Sequence, residues 1–226
     1  MPLARALAFT ALGLAALSGV GCSDASGRFR AFEERRASAG AVGGGGGQDE
    51  GEGGAAGAAG SCTPPPPGVV RGPALLALET ATTPGKAILF FGEVDTPEHE
   101  GRTSVVYRYR ALDAKDRRSE LGDQLVVGPY PIDDDGRFDA PTSKAALPGA
   151  ANAFLPGIEI VSELTLHGTI CGVSDFYCGT VSGHVYEPFD GPATGQFGLL
   201  LVSGIDDIPE RPRFGCAEDA LAPALE

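Results

Sequence analysis

Three consecutive aspartates, Asp133 to Asp135, are the densest cluster of potential metal ligands in the sequence, and Gly136 follows them. Clustered carboxylates suit Ca²⁺, which takes about six to eight oxygen ligands. An EF-hand register with Gly136 in the sixth loop position, however, places Pro131 in the first ligand position, where the side chain offers no oxygen. An Asp-Gly step is typical of a tight turn, because glycine supplies a positive φ. We therefore predict a turn without a metal, with a Ca²⁺ site formed by Asp133, Asp134 and Asp135 as the alternative.

The three histidines are the other residues with catalytic or metal-binding chemistry. His99 lies between two glutamates in a charged loop and is interpreted as a solvated side chain. His167 and His184 lie on the two arms of a predicted hairpin, and a symmetric hairpin places His167 opposite Ser182. The two imidazoles would then approach one another diagonally, as in a catalytic or metal pair, but the spacing supplies no third or fourth ligand. We interpret both as unconnected strand residues.

Alternating aromatic and basic residues form a further candidate binding surface. Tyr107 and Tyr109 alternate with Arg108 and Arg110, a period of two that indicates a strand with one buried face. These side chains would suit a sugar or peptide platform. A strand with core tyrosines and surface arginines explains them equally well.

Five cysteines are present: Cys22, Cys62, Cys171, Cys178 and Cys216. In an oxidising compartment an odd thiol is a liability, so an even set of four disulfide-bonded cysteines is expected if Cys22 is modified in another way. A hairpin that contains Cys171 and Cys178 allows a bridge across its neck. Cys62 and Cys216 flank the domain, where a bridge would join its two ends. We predict these two bridges, and the two other pairings remain open.

The first 22 residues have the pattern of an export signal. Arg5 gives a positive start, Ala6–Leu17 is a mostly apolar run of 12 residues that is too short to span a bilayer, and small residues precede Cys22. This stretch resembles the lipoprotein signal of Gram-negative bacteria. The resemblance implies cleavage after residue 21, lipid on Cys22 and, because Ser23 follows, an outer-membrane location. An ordinary cleaved signal followed by an unrelated cysteine is the alternative.

Residues 22–67 are predicted to form a tether between the anchor and a domain at 68–226. Within it, residues 39–61 contain 11 Gly and 6 Ala, a composition that buries little apolar surface and is typical of flexible linkers. Pro64–Pro67 should stiffen the chain just before the folded part.

The domain at 68–226 favours strands. Short apolar or alternating runs recur, most of them bounded by Gly, Pro or Asp clusters, and no segment has a long 3.6-residue apolar stripe. About eight such runs predict an all-β fold, an antiparallel β-sandwich.

Charge and motifs exclude several function classes. The net charge of -13 argues against a nucleic-acid partner, because such proteins need a basic face to displace counterions from phosphate. The sequence has no nucleophile elbow, no His-Glu-x-x-His helix and no phosphate loop. We expect a non-enzymatic protein without a cofactor, and a hydrolase with dispersed catalytic residues is the less favoured alternative.

These observations predict a lipid-anchored envelope protein that displays a disulfide-bonded β-sandwich. Its expected partners are the membrane, through Cys22, and an unidentified envelope protein or glycan. A carbohydrate-, peptide- or Ca²⁺-binding module is the alternative.

Overall fold

The structure, a computed structural model, describes residues 62–225. Its regular structure consists of ten strands and one 3₁₀ turn at Ile205–Asp207. The strands are β1 (Arg71–Thr80), β2 (Ala87–Asp95), β3 (Glu98–His99), β4 (Arg102–Leu112), β5 (Glu120–Pro131), β6 (Arg137–Pro141), β7 (Ala145–Leu147), β8 (Ile160–Thr169), β9 (Phe176–Glu187) and β10 (Gly191–Leu201). The predicted all-β fold is confirmed.

All ten strands belong to one antiparallel sheet that curls into a half-barrel, a sandwich-like arrangement. The lateral order is β5-β4-β2-β1-β10-β9-β8-β6. The short strand β3 continues the line of β2 beside β4, and β7 continues that of β6 beside β8, so the strands occupy eight lateral positions. The two edges, β5 and β6, follow one another in the chain. They approach where the Tyr130 hydroxyl donates a hydrogen bond to the Pro141 carbonyl at 2.9 Å.

The two faces of the sheet pack in two separate apolar clusters of the same chain. The inner face carries the main core, which includes Leu76, Tyr107, Phe138, Leu166 and Phe197. On the outer face, the C-terminal segment after β10 covers β1 and β2, and a second apolar cluster forms there from Leu75, Ala77, Leu89, Leu112, Ile208 and Phe214. Strand β1 is therefore apolar on both faces, whereas the outer faces of β6, β8 and β9 carry polar side chains.

The end of the half-barrel at which β1 begins is closed by the segment from Cys62 to Pro67. Pro65 is buried and its carbonyl accepts a hydrogen bond from the Thr103 hydroxyl at 3.2 Å. The Gly172 amide donates to the Thr63 carbonyl at 2.9 Å. These six residues thus belong to the folded unit, which differs from the predicted boundary at residue 68. The other tether residues, 22–61, lie outside the described residues.

The disulfide pairing differs from the prediction. Cys62 is bonded to Cys171, and Cys178 is bonded to Cys216. The predicted Cys171–Cys178 and Cys62–Cys216 bridges are wrong because the β8–β9 register sets Cys178 opposite Thr169, two residues before Cys171. Cys171 lies beyond the end of β8, where the N-terminal segment crosses. Cys178 lies on the outer face, next to the C-terminal segment.

The predicted turn at Asp133–Gly136 is confirmed. The Oδ1 atom of Asp133 accepts hydrogen bonds from the amides of Asp135 at 3.0 Å and Arg137 at 2.8 Å. Gly136 has a φ of 73°, in the left-handed region. Asp133 therefore shapes the β5–β6 connection, which brings the two sheet edges together.

Candidate functional site

The open end of the half-barrel, opposite the Cys62–Pro67 segment, contains a cavity of about 390 Å³. This volume lies in the range of about 300–1,000 Å³ that is usual for small-molecule sites. Most of its wall is apolar, and the wall residues include Leu78, Ile88, Phe90, Leu164, Val185 and Ala193 from the sheet and Phe154, Leu155, Pro188 and Phe189 from two loops. Phe189 at the rim is 69% exposed, which is unusual for so large an apolar side chain.

One buried asparagine fixes the loop that contributes Phe154 and Leu155 to the cavity. Asn152 is fully buried. Its Oδ1 accepts hydrogen bonds from the amides of Phe154 and Leu155, both at 2.9 Å, and its Nδ2 donates to the Ile158 carbonyl at 2.8 Å. The two apolar side chains are thus held against the cavity by a satisfied polar network.

The β1–β2 turn on the other side of the cavity is fixed by a buried carboxylate. Glu79 is 7% exposed and accepts hydrogen bonds from the Gly85 amide and from Gln196 Nε2, the latter at 2.7 Å. Thr82 and Thr83 of this turn line the cavity. The rim is therefore polar on this side and aromatic at Phe189.

The tyrosines of β4 do not form an exposed platform. Tyr107 and Tyr109 are buried in the inner core, while Arg110 is exposed. Burial raises the pKa of both phenols above their ordinary value. Of the two sequence interpretations, core tyrosines with outward arginines is correct.

Three polar side chains meet on the outer face of β6, β8 and β9. His167 Nδ1 lies 2.6 Å from Asp139 Oδ1, and His167 Nε2 lies 2.7 Å from Ser182 Oγ. The register places His167 opposite Asp139 on one side and Thr180 on the other, so the predicted pairing with Ser182 is off by two residues. The contact with Ser182 is diagonal across the strands.

His184 forms a second, separate pair with an aspartate. Its Nε2 lies 2.6 Å from Asp190 Oδ1, and its ring packs against that of Tyr186 at 4.8 Å between centroids. The Tyr186 hydroxyl donates to Glu163 at 3.2 Å, and this hydrogen bond raises the pKa of the phenol. The register partner of His184 is Glu163, four residues before His167, so the two imidazoles do not approach diagonally as predicted.

The remaining sequence candidates lie apart from these features. His99 is half-exposed, 3.9 Å from Glu100, and the three aspartates of the β5–β6 turn lie at the closed end. Cys22 lies outside the described residues. Sequence reasoning missed Asn152, Asp139 and the cavity-lining loops, because none of them stands in a recognisable motif.

Residues 62–225 contain no group of three or more His, Cys, Asp and Glu side chains arranged to hold a metal ion. No helix within that range is long and apolar enough to cross a membrane. The chain matches no family model, no curated protein and no solved structure.

Proposed function

We propose that this protein is a lipid-anchored envelope protein whose half-barrel binds a small, largely apolar molecule in its open end. The observation that carries the proposal is the apolar cavity of about 390 Å³. Small-molecule sites are typically concave, mostly apolar and largely preformed, with a few polar groups. The size, the apolar wall and the polar rim of this cavity match that description.

The preorganised walls of the cavity support the same function. Strands form most of the wall, and Asn152 and Glu79 fix the two connections that complete it. A site that is already shaped loses little conformational entropy when it binds a ligand. The few polar groups at the rim, which include Thr83 and Asp190, would orient a polar end of the ligand towards solvent.

The binding proposal predicts that filling the cavity abolishes ligand binding. Ala193 is 8% exposed and lines the cavity, so the indole of Ala193→Trp would occupy the space. We expect the mature protein to bind the neutral dye N-phenyl-1-naphthylamine saturably, one per chain, and Ala193→Trp to weaken this binding at least about tenfold. Val126→Trp is the matched control, because Val126 is 59% exposed and lies outside the cavity lining. The absence of saturable binding, or equal binding by both variants, would contradict the proposal.

The anchor is tested on the protein purified from cells. We expect the intact mass to show loss of residues 1–21 and lipid on Cys22, and the protein to fractionate with membranes. A Cys22→Ser variant should lack the lipid and leave the membrane fraction, since each buried CH₂ of an acyl chain contributes about 0.8 kcal/mol of membrane affinity. An unmodified Cys22 in the wild-type protein would contradict the anchor but would leave the dye-binding result unaffected.

A further inference from the structure

The outer face of β6, β8 and β9 carries an arrangement that the ligand-binding cavity does not explain. His167 stands between Asp139 and Ser182, with Nδ1 directed at the carboxylate at 2.6 Å and Nε2 at the hydroxyl at 2.7 Å. A nucleophile within hydrogen-bond reach of a base, with the base oriented by a third group, is the signature of an activated nucleophile. In a Ser-His-Asp triad, too, Nδ1 of the histidine faces the carboxylate and Nε2 faces the serine hydroxyl. The second pair, His184 and Asp190, has no hydroxyl at its other ring nitrogen among the described hydrogen bonds.

Paired strands fix the backbone positions of these three residues. Strand β8 lies between β6 and β9, and His167 is the register partner of Asp139. The residues directly before His167 and Ser182 are Leu166 and Val181, and both are buried in the inner core. Because catalytic groups on paired strands are positioned more firmly than groups on loops, the geometry does not depend on closure of a mobile segment.

We infer that Ser182, His167 and Asp139 form a catalytic triad that hydrolyses carboxylic esters. This inference goes beyond the proposed binding function and departs from the expectation of a non-enzymatic protein. The site lies on an open face, since the side chains of Asp139 and His167 are 74% and 40% exposed. It therefore suits short-chain esters, whose carbonyl group reaches Ser182 without a deep acyl pocket.

The reaction follows from these contacts. Ser182 Oγ attacks the ester carbonyl carbon while its proton passes to His167 Nε2, and the carboxylate of Asp139 stabilises the imidazolium. The ester C–O bond then breaks, and the alcohol leaves with the proton from His167. A water molecule attacks the acyl-serine carbon, giving a proton to His167, and the bond to Ser182 Oγ breaks as Oγ regains that proton. The products are a carboxylic acid and an alcohol, and the enzyme is restored.

Threonine side chains on both neighbouring strands are candidate donors to the oxyanion. Thr165 of β8 and Thr194 of β10 are the register partners of Ser182. Side chains of directly opposite residues project on the same face, with Cβ atoms about 4.5–5.5 Å apart. Hydroxyl groups aimed at the carbonyl oxygen stabilise the charge that develops there.

The triad is tested with the mature protein, a fluorophosphonate probe and p-nitrophenyl acetate. We expect one probe molecule per chain, located on Ser182 by peptide mapping, and ester hydrolysis that falls at least about 100-fold in Ser182→Ala. Asp139 acts through His167, so Asp139→Asn should lower kcat at least about tenfold and leave KM within about twofold.

His184→Gln is the matched control, because it removes the other aspartate-paired imidazole of the same face without touching the triad. It should retain labelling and hydrolysis, with melting temperatures confirming that all variants are folded. Absence of labelling in the wild-type protein, hydrolysis retained in Ser182→Ala, or an equal loss in His184→Gln would overturn the triad. Hydrolysis retained in Ser182→Ala would assign the reaction to surface imidazoles, and an equal loss in His184→Gln would show that the triad is not the specific source of the activity.

Discussion

The double variant Cys62→Ala/Cys171→Ala is expected to lose about 5 kcal/mol of unfolding free energy. The bond joins residues 109 apart in sequence, and a cross-link that closes a longer loop removes more entropy from the unfolded chain. The bond also holds the segment that closes one end of the half-barrel, where the Gly172 amide donates to the Thr63 carbonyl. Loss of the bond should therefore release this segment in the folded protein and raise the conformational entropy of the unfolded chain.

The second bridge supplies the matched comparison. Cys178 and Cys216 are 38 residues apart, so Cys178→Ala/Cys216→Ala should lose about 4 kcal/mol on the same entropic model. Chemical denaturation of the two variants gives both values, and non-reduced peptide mapping of the wild-type protein verifies the pairing. A loss below about 2 kcal/mol in the first variant would contradict the expectation, because native disulfides usually contribute about 2–5 kcal/mol. A Cys171–Cys178 peptide would contradict the pairing itself.

Local patterns in the sequence predicted much of the fold. The alternation of tyrosine and arginine from Tyr107 to Arg110 lies within β4, and the Asp-Gly step forms the β5–β6 turn. Such patterns depend on which residues face the core and on local φ preferences, so they need no knowledge of distant strands. The disulfide pairing depends instead on register, and a two-residue error in the β8–β9 hairpin was enough to join the wrong cysteines.

The candidate sites could not be predicted from the sequence for the same reason. Asp139 and His167 are 28 residues apart and meet only because β6 pairs with β8. The predicted β8–β9 hairpin places Ser182 near His167, but Asp139 lies on β6, outside that hairpin. The cavity depends on a loop fixed by the single side chain of Asn152, and one asparagine in a loop has no distinctive sequence pattern.

Two facing glycines on the inner face offer the second large effect on stability. Gly168 of β8 is the register partner of Gly179 of β9. On the neighbouring strands, Phe138 of β6 is the register partner of Gly168, and Phe197 of β10 is that of Gly179. The rings of the two phenylalanines occupy the space above the glycines. The two aromatic side chains thus complete the core where the glycines have no side chain to pack.

A methyl group on either glycine is expected to be destabilising, but for different reasons. The atoms nearest to a Cβ at Gly168 are ring atoms of Phe138 and Phe197. A Cβ at Gly179 would overlap a ring carbon of Phe197 and, more closely, the carbonyl oxygen of His167, which belongs to the β8 backbone. We expect Gly168→Ala to cost about 2 kcal/mol of unfolding free energy and Gly179→Ala about 3 kcal/mol or more, because side chains can repack and a paired strand cannot.

Double-mutant cycles with Phe138→Leu distinguish the two causes. The smaller side chain of Phe138→Leu should recover about 1 kcal/mol or more of the loss in Gly168→Ala, an interaction energy usual for residues in contact. It should recover nothing in Gly179→Ala, because the clash with the His167 carbonyl remains. Urea denaturation of the three single and two double variants gives the two coupling energies. Equal coupling in both cycles would show that the ring of Phe138, and not the β8 backbone, limits the space at Gly179.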